Sequence, residues 1–185
     1  MSLPTTRRIV TGHDQHGHAI FDSDETLTPA NPLDSTGGPP SGIIPGFTNL
    51  FRTDGVPAKA QGPWDDVHGK KIGLVSPAGV YARIVDFPPT GDAEDSVNIM
   101  HRTQSVDFAV VLKGSIKLIL DEGVEKTVRE GDTVVQRATN HAWKNVSNEN
   151  VRILFVLVPS EPVVNESTGE VLEPTPTHLL EEKQD

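Results

Sequence analysis

Two short segments concentrate side chains able to move protons or grip a small acid. The first runs His101-Arg102-Thr103-Gln104-Ser105-Val106-Asp107, and the second Thr139-Asn140-His141-Ala142-Trp143-Lys144-Asn145. An imidazole titrates near neutrality and a neighbouring carboxylate can orient or assist it, so His101, Asp107 and His141 are candidate acid–base residues. Arg83 and Arg102 add guanidinium groups that can take a carboxylate through two parallel hydrogen bonds, although a solvated or paired role is the commoner use. Trp143 is either a packing residue or a wall of the pocket, and Thr103 is a good strand residue that points the same way as position 101. A third cluster, His13, His16 and His18 in HDQHGH, has the Gly and Asp content of a turn rather than of a metal tract.

The inventory removes several chemistries. The 185 residues contain no cysteine, so thiolate metal sites, disulfides and cysteine nucleophiles are excluded, and any metal must be held by His, carboxylate, amide or water. A net charge of −10 without any Lys/Arg run argues against nucleic acid as a partner. No apolar stretch approaches the roughly 20 residues of a membrane span, and the start MSLPTTRR lacks the apolar centre of a signal peptide, which points to no membrane and a cytoplasmic protein.

The elements that must position these groups read as short strands. Gly, Pro, Asn and Asp punctuate apolar runs at intervals of roughly 8 to 12 residues, the pattern of an all-β sandwich or barrel. The expected strands are 48–52, 71–76, 80–87, 97–102, 107–112, 116–120, 126–129, 133–137, 141–145 and 151–158. In 80–87, alternate residues share a face: Val80, Ala82, Ile84 and Asp86 on one, Tyr81, Arg83, Val85 and Phe87 on the other. Segments 121–123 and 130–132 read as tight turns, with Gly114 and Gly131 at positions needing a positive φ. Residues 1–45 form an N-terminal arm with a possible hairpin, 8–10 against 19–21, then a Pro/Gly/Ser stretch from 28 to 45. That stretch cannot order itself alone and must lie against something else, often a neighbouring subunit. The barrel spans 46–160, and 161–185 is a tail with one short terminal helical turn. Trp64, in a Pro/Gly-rich loop, is placed to act as a lid.

Over about 80–159 the sequence resembles the cupin superfamily. The first cupin motif runs His-x-His, three or four residues, Glu, six residues, Gly; here it is matched by His101, Thr103, Asp107 and Gly114. The second opens Gly-Asp and ends His-x-x-x-Asn, matched by Gly131-Asp132 and by His141 and Asn145. The resemblance implies an all-β fold, a cupin-type antiparallel β-barrel (double-stranded β-helix, jelly roll) with His101 and His141 in its mouth and Asn145 supporting the chain rather than acting as a ligand. Cupins often hold Fe, Mn, Ni or Zn with three His and one Glu. Carried over, that set becomes His101, Thr103, Asp107 and His141, of which a two-His, one-carboxylate set remains for one divalent metal; a metal-free His/carboxylate site fits the same residues.

The phrases HRTQSVDF and QRATNHAWKN resemble a subgroup of small single-domain cupins, many encoded near small-molecule pathways. The expected function is a lyase, a dehydratase or decarboxylase acting on a small carboxylated or polyketide-like metabolite. Its catalytic groups are His101, Asp107 and His141, with Thr103, Arg83, Arg102 and Trp143 at the substrate. A metal-dependent dioxygenase and a non-enzymatic small-molecule-binding cupin are the alternatives. The open sheet edges and the arm point to a homodimer.

Overall fold

A computed structural model describes residues 3–90 and 99–176. Among the described residues there are ten strands: β1 (Thr6–His13), β2 (Ala19–Leu27), β3 (Gly46–Arg52), β4 (Tyr81–Phe87), β5 (Ser105–Lys113), β6 (Ser115–Ile119), β7 (Glu125–Arg129), β8 (Thr133–Arg137), β9 (Ala142–Lys144) and β10 (Val151–Pro159). All pairings between them are antiparallel. The architecture is the expected all-β jelly roll, a five-stranded sheet in the order β3-β4-β10-β5-β8 and a three-stranded sheet in the order β7-β6-β9, with the β1-β2 hairpin apart. The two sheets do not join into a closed barrel.

Burial follows the strand alternation. On β5, Ser105, Asp107, Ala109 and Val111 are buried while Phe108 and Leu112 are exposed, so one face of the strand looks into the fold. Tyr81 and Val85 of β4, Ile153, Phe155 and Leu157 of β10, and Ile116, Val128 and Trp143 from the smaller sheet meet in one apolar core. That core fills the lower interior. The polar residues of β5 and β8 fall at one end of the same inward face, which is how the fold collects them.

Turns fix the register. Gly114 (φ +88°) brings the chain against Val151, whose Cγ2 would lie 3.0 Å from an added Cβ, and Gly131 turns β7 into β8 at φ +85°. A 3-10 turn at Asp121–Gly123 joins β6 to β7. Asn145 is fully buried: its amide donates to the Phe87 and Glu149 carbonyls (2.8 and 2.7 Å), and its Oδ1 accepts from the Ser147 N–H (3.0 Å). It supports the chain after β9, as the motif implied.

Three expectations are corrected. Residues 71–76 are a loop and not a strand, because Gly73 adopts φ +71° and breaks the extended run; Ile72 and Val75 instead pack on the core. The strand expected at 97–102 does not form over 99–102, where a single bridge pairs His101 with His141; residues 97 and 98 lie outside the described residues. Trp64 is not a lid over the mouth. Its indole N–H donates to Asp22 (2.7 Å), its ring lies 5.6 Å from Phe51, and the Arg8 guanidinium sits 5.0 Å above it, so it pins the β1-β2 hairpin. The hairpin itself is longer than expected. The stretch 28–45 lies against its own chain: Ala30 bridges to Phe47, and Pro29 and Pro40 crowd Gly46. The helical turn expected in the tail falls outside the described residues.

Candidate active site

β5 carries Ser105 and Asp107 on the inward face, and β8 carries Gln136, which pairs directly across from Asp107. Ser105 Oγ lies 2.6 Å from Asp107 Oδ1 and 3.0 Å from Thr103 Oγ1. One hydroxyl proton cannot serve both, so with Ser105 donating to the carboxylate, Thr103 donates to Ser105. The Gln136 amide nitrogen is 3.1 Å from Asp107 Oδ2 and 3.1 Å from His141 Nε2, and its two hydrogens bind both.

The two histidines are held by backbone on each side. Each donates and accepts across the bridge (2.9 Å both ways), and the ring centroids are 4.4 Å apart. His101 Nδ1 is 2.9 Å from the Ile99 carbonyl and His141 Nδ1 2.9 Å from the Thr139 carbonyl. A carbonyl only accepts, so both Nδ1 atoms carry the proton and both Nε2 atoms carry the lone pair. Gln136 occupies the lone pair of His141. That of His101 accepts no hydrogen bond among the described residues, which makes it the free base of the site.

The electrostatics agree with that assignment. Burial is the main cause that holds His101 below its ordinary value, and burial, then the neighbouring His101, takes His141 down to about 4. Burial pushes the Asp107 carboxyl up, against the hydrogen bonds of Ser105 and Gln136 that pull it down. Two neutral imidazoles therefore stand beside a carboxyl that keeps its proton more readily than usual.

The remaining expected site residues divide. Arg83 faces the interior from β4, 3 % exposed. Trp143 lies in the core, its ring edge-on to Phe155 at 5.7 Å, and its indole N–H has no acceptor among the described residues. Arg102 Nη1 donates to the Ala138 carbonyl at 2.6 Å, and its backbone pairs with Thr175 of the tail. Ala138 has φ +50°, unusual for a residue with a Cβ, so Arg102 positions the strained turn that leads to His141. Ser105 and Gln136 carry as much of the polar network as the expected residues, and their parity with Asp107 and Val134 is the signal that finds them. The HDQHGH cluster is an exposed turn in which Asp14 accepts from the N–H groups of His16 and His18. A separate open groove of about 430 Å³ lies away from this site, along β1 and beside Leu50 and Phe51.

The metal set His101, Asp107 and His141 is not assembled as a centre. Among the described residues no group of three or more His, Asp or Glu is placed to hold a metal ion. The physical reason is Gln136, whose N–H groups cap both Asp107 Oδ2 and His141 Nε2, the atoms such a site would use, while the Thr103 hydroxyl is turned to Ser105. The donor set as arranged does not fit a resident metal.

Comparison with known proteins agrees with this frame. The family model described as a cupin domain matches residues 83–157. The chain is 34% identical over 162 residues to the cupin-domain-containing oxidoreductase fogC of Aspergillus ruber, covering 84% of this chain and 73% of that protein. The chain belongs to the cupin-domain family. It is also 34% identical over 167 residues to the phomopsin biosynthesis cluster protein D of Diaporthe leptostromiformis, covering 87% of this chain and 82% of the relative. The cupin-domain-containing oxidoreductase virC of Hypocrea virens is 30% identical over 171 residues, covering 88% and 80%. The matched span of this cupin runs from Arg83 to Leu157, so it encloses Asp107, Gln136 and both histidines. Among the described residues, no helix is long and apolar enough to cross a membrane.

Proposed function

We propose that this cupin is a small-molecule enzyme that works by proton transfer, with His101 as base and Asp107 as the carboxyl that returns the proton. The observation that carries the reading is the fixed tautomer of the paired imidazoles beside a carboxyl with a raised pKa. Groups whose environments push their titrations apart are how one site supplies both an acid and a base at neutral pH. Nδ1–H bonded to Ile99 aims the His101 lone pair at substrate, and Gln136 fixes the Asp107 carboxyl while tying His141 to it. A base that takes a C–H or O–H proton and an acid that protonates a leaving oxygen together perform a dehydration, which is the lyase reading. The substrate class is a small oxygenated metabolite. Relatives named for a biosynthesis cluster support that class, not its identity.

A second reading, an oxidoreductase, is favoured by the names of two relatives. Redox turnover requires a metal or organic cofactor as electron acceptor, since the chain has no cysteine. Chelation separates the two. Protein treated with a chelator and desalted is expected to turn over, at unchanged rate, the metabolite that accumulates in a host lacking this chain, and Asp107→Asn is expected to lose most of that turnover. Loss of turnover on chelation, restored by iron or another divalent ion, would overturn the metal-free reading, and an oxidised product would then identify the oxidoreductase.

A further inference from the structure

Inside the fold, Arg83 is a buried cation without an ion-pair partner among the described residues. Arg83 is 3 % exposed, and no carboxylate among the described residues lies within ion-pair distance of it. Its one hydrogen bond there is long, 3.3 Å from Nη2 to the Gly73 carbonyl, and its Nε–H has no acceptor. The guanidinium is held by aromatic faces, 5.3 Å from the Phe47 ring and 5.1 Å from that of Tyr81. Burial takes it down only to about 10, so it remains a cation at neutral pH.

A buried guanidinium costs several kcal/mol of desolvation unless it is paired. Its backbone pairs with Phe155 across the sheet, the Trp143 ring stands edge-on to Phe155, and the Trp143 indole N–H is a second buried donor without an acceptor among the described residues. An orphaned buried cation between the apolar rings of Phe47 and Tyr81 suits a ligand that brings acceptor atoms on an apolar body.

We infer that Arg83 anchors the carboxylate of a small apolar acid. The inference rests on the reading that the fold interior is a small-molecule site, and it narrows the substrate class to carboxylic acids. Arg83 then acts as a charge fork that fixes the acid while His101 and Asp107 act elsewhere on it. The competing role is structural, with Arg83 tying the 71–76 loop down through Gly73.

The test compares benzoate with benzamide, which share shape and differ in charge, by calorimetric titration of the full chain and of Arg83→Met, Arg83→Lys and His101→Ala. Native protein is expected to bind benzoate at least about tenfold more tightly than benzamide, and Arg83→Met to abolish that preference. Its melting temperature should be unchanged or higher, because replacing an unpaired buried charge by a hydrophobic side chain of similar volume removes a desolvation cost. Arg83→Lys should keep the charge preference at reduced affinity, and it serves as the reference if Arg83→Met does not fold. His101→Ala should bind benzoate as the native chain does. Equal binding of both probes, binding of neither, or a benzoate preference that survives Arg83→Met would overturn the anchor; so would a lowered melting temperature in both Arg83 variants with benzoate binding intact, which would establish the loop tie. Failure of the proton-transfer reading shows separately, as turnover that survives His101→Ala whatever Arg83 does.

Discussion

Replacing His101 by alanine is expected to lower turnover about 10²- to 10⁴-fold while leaving the fold intact, the range a single positioned general base contributes. The expectation follows from which lone pair is free. Both imidazoles present Nε2 inward, yet Gln136 covers that of His141 and nothing among the described residues covers that of His101. His141→Ala should therefore act differently: it removes a partner of Gln136, loosens the grip on Asp107, and lowers turnover by less. The rates can be read as consumption of the metabolite that accumulates in a host lacking this chain, with melting temperature as the control for folding. Equal losses in the two variants would mean that the rings act as one unit rather than as base and support.

Asp86→Ala is expected to destabilise the protein by about 3–5 kcal/mol, because it strands a charge at the centre of the five-stranded sheet. Asp86 is fully buried on the face of β4 opposite Arg83, and Arg152 of β10 meets it through two bonds, Nε to Oδ1 at 2.8 Å and Nη2 to Oδ2 at 2.9 Å. The two residues are direct cross-strand partners, so the pair reinforces the ladder, and Arg152 also reaches the carbonyls of Pro4 and Thr5. For a chain of this size the loss corresponds to a fall in melting temperature of roughly 10 °C. A double variant that also replaces Arg152 by leucine should recover part of it, since no unpaired charge remains; no recovery would show that packing, not charge, is what Asp86 supplies.

Much of the fold was legible because a half-buried strand leaves a period-two trace. The alternation in 80–87 placed Tyr81, Arg83 and Val85 on one face, and the structure turns that face inward. Motif spacing pointed to His101, Asp107 and His141; a backbone bridge joins the two histidines, and Gln136 contacts both His141 and Asp107. Other features left no local trace. Residues 71–76 have the composition of a strand, but the positive φ of Gly73 and the bonds from Tyr81 and Arg83 to the carbonyls of Ile72 and Gly73 hold them as a loop. Arg102 offers a guanidinium by its type, and only tertiary structure shows its Nη1 bonded to the Ala138 carbonyl. Trp64 likewise depends on a hairpin some 40 residues earlier in the chain, through the bond to Asp22. Gln136 sits where the ligand pattern has no requirement, yet its amide decides what Asp107 and His141 are free to bind.

The role of His101 as base depends most directly on the protonation state of the two imidazoles, and side-chain ¹⁵N NMR of the histidines across pH 3.5 to 8 reads it. Because the pKa of His141 in the fold lies below the ordinary 6.5, its neutral form carries stability that is present above pH 6.5 and is lost as pH falls toward about 4, on the order of 3 kcal/mol. His101 contributes in the same direction. The prediction is that both rings at pH 7 are neutral with the proton on Nδ1, that His141 takes up its second proton only near pH 4, and that the melting temperature falls over the same interval. A ring that titrates at its ordinary value, or that carries its neutral proton on Nε2, would contradict the assignment of His101 as the free base.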